Sequence, residues 1–311
     1  MTSLPLVDPE LRPLLDAWPT VTLTAESLAE LRARELPLPP VADGGVDLDR
    51  RAVPGPAGAP DILLHIYRPR AAAGPLGCIY HIHGGGYVGG AAKEVEFLLR
   101  PLAAAARCVI VSVDYRLAPE TVFPGAIEDC YAGLAWTFAH ADDLGVDPAR
   151  IGVMGESAGG GLAAALALMA RDRGGPALAF QHLTYPMIDD RTCTTPPHAC
   201  AGEFIWTPHN NRFGWAALLG QEPGSDGVSA YAAAARADDL AGLPPTFIMT
   251  GALDLFVDED IDYARRLIAA GVPTELHVHP GAFHGFDFLP GPGVANRAHA
   301  GRLDALRRAL G

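Results

Sequence analysis

Gly155-Glu156-Ser157-Ala158-Gly159 follows a short apolar run, Arg150-Ile151-Gly152-Val153-Met154, and precedes the Ala/Leu-rich stretch from Gly160 to Arg173. Gly-x-Ser-x-Gly between a strand and a helix is the spacing of a nucleophile elbow. Its turn is so tight that side chains at the outer positions would strike neighbouring backbone, and glycine avoids this. Ser157 at the tip is expected in a strained backbone conformation, its hydroxyl clear of the sheet edge. A serine hydroxyl is a weak nucleophile and needs a base within hydrogen-bond reach, itself oriented by a third group. With this elbow the chain order is serine, then an acid, then histidine. Asp254, in Met249-Thr250-Gly251-Ala252-Leu253-Asp254, and His284, in Pro280-Gly281-Ala282-Phe283-His284-Gly285-Phe286, follow in that order. Both stand in loops just past predicted strands.

Acyl chemistry also needs N–H donors aimed at the oxygen that becomes charged. His83-Gly84-Gly85-Gly86 directly follows another predicted strand, and glycine lets the backbone approach such an oxygen closely. The N–H groups of Gly85 and Gly86, with that of Ala158 after the nucleophile, are the predicted donors. His83 is read as orienting the glycine loop that continues through Gly84, and Glu156 as bracing the elbow. Asp258 has two readings, a helix N-cap or support for the His284 loop. Glu120 with Arg116, and Asp129, read as structural partners fixing the loop after the third core strand. His81 with His83, and His277 with His279, stand two apart on strands, but no third ligand completes a familiar spacing. Neither a metal nor a cofactor is expected.

The elements that must hold these groups can be traced from about residue 60 onward. Short apolar runs bounded by Gly, Pro or polar residues predict strands at Ile62–Tyr67, Cys78–Ile82, Cys108–Val113, Ile151–Met154, Phe180–Thr184, Thr246–Thr250 and Glu275–Val278. Helical patterns lie between and after them, at Glu94–Ala106, Ala126–His140, Gly160–Arg173, Asp258–Ala270 and Asn296–Leu310. This alternation predicts an α/β domain with a mainly parallel sheet, helices on both faces, and ligands beyond the carboxyl ends of the strands. Two regions stand outside the alternation. Residues 1–45 hold two short helices, Asp8–Trp18 and Thr24–Glu35, and the linker Leu36-Pro37-Leu38-Pro39-Pro40. Thr24 is a plausible N-cap there, with Glu26 in the first turn. Residues 188–225 read as loop and carry Phe204, Trp206, Phe213 and Trp215, which are either cap core or walls of a substrate pocket. Both regions are expected to fold over the strand ends as a cap, leaving 46–311 as the catalytic domain with 188–225 inserted in it.

The whole chain of 311 residues, 49% hydrophobic and 19% charged, has the composition of a soluble globular protein. A net charge of −13 argues against nucleic acid and anionic membrane surfaces as partners. Lys93 is the only lysine, and the arginine bias with abundant Ala, Gly and Pro suits a GC-rich bacterial genome. Residues 1–20 lack the pattern of a signal peptide, and no run approaches the ~20 apolar residues of a membrane span. The five cysteines show no CxxC spacing. Reduced thiols and a cytoplasmic location are the expectation.

Together these motifs resemble the hormone-sensitive-lipase-like esterases of the α/β-hydrolase fold. The resemblance runs from about Ile62 to the C-terminus. It rests on His83-Gly84-Gly85-Gly86, on Asp114-Tyr115-Arg116-Leu117-Ala118-Pro119-Glu120 after the next strand, on the elbow, and on the contexts of Asp254 and His284. The family often shows Asp-Pro-Leu around its acid, whereas this chain reads Asp254-Leu255-Phe256-Val257-Asp258. Family likeness implies a cap made of the N-terminal helices plus an insertion before the acid, and an edge-strand homodimer. It also implies a serine carboxylesterase acting on small, soluble short- to medium-chain esters, not a lipase docking on lipid. An amidase-like relative of the arylformamidase type, and a non-catalytic binding protein such as the plant gibberellin receptor on the same fold, are the competing readings. The intact His284 separates this chain from that receptor.

Overall fold

The computed structural model describes residues 2–18, 20–34, 38–72, 74–288, 291 and 293–311. Glu35, Leu36 and Pro37, which belong to the expected second helix and linker, lie outside them. Among the described residues, strands run at Val46–Val53 (β1), Ile62–Pro69 (β2), Leu76–Ile82 (β3), Val109–Asp114 (β4), Val146–Glu156 (β5), Gln181–Thr184 (β6), Thr246–Gly251 (β7) and Thr274–His279 (β8). Helices run at Arg12–Ala17 (α1), Ala25–Ala33 (α2), Glu96–Ala106 (α3), Gly125–Ala139 (α4), Ala141–Leu144 (α5), Ala158–Asp172 (α6), Pro208–Leu219 (α7), Val257–Ala269 (α8) and Gly293–Leu310 (α9).

All eight strands join one sheet in the order β1-β2-β4-β3-β5-β6-β7-β8. β2 pairs antiparallel with both β1 and β4, and every pairing from β4 to β8 is parallel. β3 is buried along its whole length, which is why it reads as an unbroken apolar run. Its side chains still alternate between two cores. Cys78, Tyr80 and Ile82 face the α4 and α6 side, while Ile79 faces the α3 and α9 side. Between β5 and the opposing core, α6 is buried from Ala158 through Ala170. Its small side chains let it lie close to the sheet, and the helix needs no polar face.

The expected strands are all present, and β1 is an addition. Its sequence, Val46-Asp47-Leu48-Asp49-Arg50-Arg51-Ala52-Val53, carries charge where a buried strand would be apolar. It is an edge strand, paired from Val46↔Pro69 to Val53↔Ile62, and charge on an edge discourages pairing with another chain. The N-terminal helices are shorter than expected, with Thr24 capping α2 by accepting the Ser27 N–H. Residues 188–225 are not loop throughout, because α7 occupies Pro208–Leu219, capped by Thr207 and opened by Pro208. Asn210, Asn211 and Gly214, poor helix formers, hid it. No described helix is long and apolar enough to cross a membrane, and all five cysteines are free, Cys193 and Cys200 included.

One buried polar side chain of the sheet gives stability a pH dependence. His182 on β6 is buried and stacks on Phe247, its register partner on β7, at 4.4 Å. Neither ring nitrogen has a partner among the described residues. Burial pushes its pKa down to about 3, with the nearby Arg302 charge adding to the effect. In the unfolded chain the ring titrates near ~6.5, so between that pH and about 3 only the unfolded state binds the proton. The contribution is therefore full above pH ~6.5 and is lost on acidification, at ~1.4 kcal/mol per pH unit. The His182→Leu variant should lose this share. The difference between wild-type and variant unfolding free energies, from urea titrations, should be constant above pH 7. It should move in the variant's favour as pH falls from 6.5 to 4, and a pH-independent difference would refute this assignment.

Candidate active site

Ser157 sits between the end of β5 and the start of α6 with φ 57° and ψ −124°. That conformation is rare for a residue with a side chain and persists only where the surroundings enforce it. Enforcement comes from both sides of the turn. A Cβ on Gly155 would lie 2.2 Å from the Gly159 carbonyl oxygen, and one on Gly159 would lie 2.1 Å from that of Ile82 and 2.4 Å from that of His83. Only glycine fits either place. The Ser157 N–H donates to the Thr184 carbonyl at 2.9 Å, and its own carbonyl accepts from Gly161 and Met187, each at 3.0 Å.

His284, in the loop between β8 and α9, reaches the same point. The Ser157 hydroxyl donates to His284 Nε2 at 2.9 Å. On the far side of the ring, Nδ1–H donates to Asp254 Oδ2 at 2.8 Å, which fixes the tautomer. Asp254 is fully buried past the end of β7, and its other oxygen accepts the Phe256 N–H at 3.0 Å. The Phe256 and Tyr185 rings pack against the imidazole with centroids at 5.2 and 4.7 Å. Leu255, where the family often has proline, leaves this hydrogen-bond geometry intact.

The glycine loop lies opposite. Gly85 and Gly86 have φ of 123° and 61°, and among the described residues the N–H groups of Gly85, Gly86 and Ala158 donate to nothing. His83 holds the loop from beneath by donating Nδ1–H to the Gly84 carbonyl at 2.8 Å. Its ring stacks on Tyr115 at 4.4 Å, and the Tyr115 hydroxyl donates to the His83 carbonyl at 2.9 Å. Burial pushes the His83 pKa down to about 4, so the ring is neutral at pH 7. Glu156 reaches the same neighbourhood, with one oxygen 2.8 Å from His81 Nε2 and His81 Nδ1 2.8 Å from the Ser112 hydroxyl.

The other expectations divide. Asp258 is exposed in the first turn of α8, and Phe256 is the N-cap, so it fills neither reading offered for it. The inward acids of that turn are Glu259 and Asp260. Glu259 accepts the Ile188 and Asp189 N–H groups at 2.8 and 3.2 Å and the Thr192 hydroxyl. Burial pushes both carboxyls well above the usual range, with Glu259 and Asp254 adding like charge around Asp260. The signal was present, since Asp260 lies on the helical stripe of Tyr263, Ala264 and Leu267. Arg116 pairs with Asp129 at 2.7 Å, but Glu120 pairs with Arg32, tying α2 to the loop after β4. No three described His, Cys, Asp or Glu side chains cluster to hold a metal.

A cavity of about 530 Å³ opens beside Ser157 and His284 under α1, α2 and the 188–225 segment. Of the four aromatic residues in that segment only Trp206 lines it, with its ring centroid 6.3 Å from that of His284. Trp215 is buried against Tyr87, Phe213 packs with Leu23 and Leu28, and Phe204 packs on Phe283. These three are packing residues. Ile205, beside Trp206, has φ 61°, a strained setting for a β-branched residue. Tyr185 and Asp287 went unnoticed in the sequence, yet the Tyr185 hydroxyl donates to Asp287 Oδ1 at 2.8 Å and ties the His284 loop to the end of β6.

The family model described as alpha/beta hydrolase fold matches residues 79–288. Carboxylesterase NlhH of Mycobacterium tuberculosis is 38% identical over 98% of this chain and 97% of its own length. The ethyl acetate hydrolase of Pseudomonas putida is 32% identical over 72% of this chain and 70% of its own. The solved structure of a bacterial heroin esterase superposes with a TM-score of 0.92 at 40% identity, covering all of both chains. The chain thus belongs to the hormone-sensitive-lipase-like carboxylesterases of the α/β-hydrolase fold and is a carboxylic ester hydrolase.

Proposed function

We propose that Ser157, His284 and Asp254 form the catalytic triad and that the substrates are small, water-soluble esters of short- to medium-chain acids. The hydrogen-bonded chain from Ser157 Oγ through the imidazole to Asp254, at 2.9 and 2.8 Å, is the observation that carries this reading. Ser157 Oγ attacks the ester carbonyl while His284 Nε2 takes its proton. Asp254 holds the Nδ1–H tautomer and stabilises the imidazolium that forms. The new C–O bond pushes the carbonyl electrons onto the oxygen, which is met by the N–H groups of Gly85, Gly86 and Ala158. As the tetrahedral species collapses, the alcohol leaves with the proton from His284. Water, deprotonated by the same imidazole, then releases the acid from the acyl-enzyme.

His83 and Glu156 act one step back. A neutral His83 can hold the Gly84 carbonyl without placing a second positive charge beside His284. Glu156, paired with His81 at the end of β5, braces the elbow. The cavity of about 530 Å³ falls within the usual range for small-molecule sites. The ethyl acetate hydrolase and the heroin esterase show that relatives of this chain act on small esters. A monomer or an edge-strand homodimer in the cytoplasm suits such a substrate equally.

Replacing Ser157 with Ala should lower kcat on p-nitrophenyl acetate by roughly 10⁴–10⁶ with the circular dichroism spectrum unchanged. The variant should also lose labelling by a fluorophosphonate, and near-normal turnover would sink the triad assignment. Along p-nitrophenyl alkanoates, kcat/KM should rise about fourfold per methylene, the equivalent of ~0.8 kcal/mol of burial, until the pocket is filled. It should then fall by the medium-chain range. A rise that continues to long chains would favour a lipid substrate instead.

A further inference from the structure

The cavity lining includes an arm, a group of residues that the triad does not use. Between the sheet and the α3–α9 layer, Met154, Leu99, Leu102 and Phe288 supply apolar walls and Arg302 a polar one. This arginine lies on the buried stripe of α9, among Ala298, Ala305 and Leu306, and is only 7% exposed. Its guanidinium approaches Asp287 Oδ2 no closer than 3.6 Å, and among the described residues it makes no hydrogen bond. Other arginines that dip into the protein behave differently. Arg116 and Arg236 each make bidentate bonds of 2.6–2.9 Å to a buried aspartate. A guanidinium carries five N–H donors in a fixed fork, and burying it beside a cavity without partners leaves those donors for a ligand.

The charge around the arm says what kind of ligand. Asp287 is held ionised, down to about 2 despite its burial, by His299 and Arg302 and by the Tyr185 hydroxyl. It cancels the Arg302 charge, and Glu156, paired with His81, lines the same arm. A carboxylate entering there would meet the carboxylates of Asp287 and Glu156 as well as the guanidinium, with Lys93 and Glu94 of the same lining opposite in sign to each other. An uncharged oxygen acceptor would meet N–H donors between apolar walls.

We propose that Arg302 ends a substrate subsite that binds a second, uncharged acceptor oxygen, a ketone, ether or further ester, on one limb of the ester. The subsite rests on the proposed chemistry at Ser157 and adds to it a preference for bifunctional esters. It makes Arg302 a specificity-determining residue.

The test compares kcat/KM for p-nitrophenyl alkanoates with keto analogues of equal length, the keto oxygen moved stepwise along the chain. Acetates of matched alcohols and keto-alcohols cover the other limb. In the wild type at least one keto ester should exceed its plain partner by about tenfold or more, as a hydrogen bond to a charged donor implies. In Arg302→Met that ratio should fall to about one. In Arg302→Lys, which keeps the charge but loses the fork, it should be intermediate. Ratios are taken within each protein, so a general loss of activity cancels, and the wild-type ratios decide even where a variant does not fold. Flat ratios in both wild-type series would overturn the subsite, as would a preference that survives Arg302→Met. A carboxylate-bearing ester that outruns the keto esters would overturn its uncharged character. Turnover of the plain esters by wild type but not Ser157→Ala keeps a failure of the subsite distinct from a failure of the triad.

Discussion

The crowding of Gly159 against the carbonyls of Ile82 and His83 is the constraint on which the rest of this structure depends. It joins the first turn of α6 to the end of β3 at a distance that leaves no room for a methyl group. Ser157 is thereby driven to φ 57°, where its hydroxyl projects from the sheet edge. The same contact sets the spacing between the Ala158 N–H and the glycine loop that starts at His83. One backbone approach thus fixes the proposed nucleophile and the proposed oxyanion donors relative to each other, before any side chain takes part. Strain of this kind, of order 1–3 kcal/mol for a residue in a sparsely populated region, is sustained because β3, the second half of β5 and α6, which surround the turn, are buried.

The polar side chains under the site are arranged so that few of them carry unbalanced charge. Ser112, His81 and Glu156 run as a hydrogen-bonded row across β4, β3 and β5 on the α3–α9 face. His83 is neutral, and Asp254 spends both oxygens, one on the imidazole and one on a backbone N–H. A buried charge left unpaired would cost several kcal/mol and would also disturb the imidazolium that forms during reaction. Glu259 and Asp260 fit the same rule from the other direction. Burial raises both, and at Asp260 the charges of Glu259 and Asp254 push in the same direction.

How much of this could be read from the chain depends on whether a local rule or a tertiary partner decides the residue. The elbow, the glycine loop and the order of Ser157, Asp254 and His284 obey motif rules, because glycine at fixed spacing beside a strand end signals the turn whichever distant carbonyl or ring crowds it. The central strands are legible too, being buried on both faces. β1 is not, since an edge strand pairs through its backbone and can carry Asp47, Asp49, Arg50 and Arg51. α7 is hidden because Gly214 is chosen by its neighbour: a Cβ there would lie 2.6 Å from the Gly86 carbonyl oxygen. Asp258 is the first acid in a run of three, and the helical period leaves it exposed while it turns Asp260 inward. Trp215 and Phe213 look the same in sequence as Trp206. Only the packing of α7 against Tyr87 and α2 separates core from pocket wall.

The N-terminal segment and residues 188–225, proposed to form a cap, are held by a different kind of bond from the floor of the site. The two parts are tied by polar links between distant segments. Asn210 accepts the Leu23 N–H at 2.9 Å and donates to the Val21 carbonyl at 2.7 Å, Thr20 accepts the Ile205 N–H at 3.0 Å, and Glu203 accepts from Ser3. Such links fix where the N-terminal segment lies but do not depend on the side chains that face the cavity, such as Leu14, Leu31 or Ile205. Those positions can change size without loosening the ties. At the floor no such freedom exists, because Gly86 is pressed by the Trp206 ring and Gly85 by the Gly89 carbonyl. Trp206 is the exception that links the two layers. Its ring lies against both Gly86 and the His284 imidazole, so the roof of the cavity and the proposed reacting atoms share one side chain.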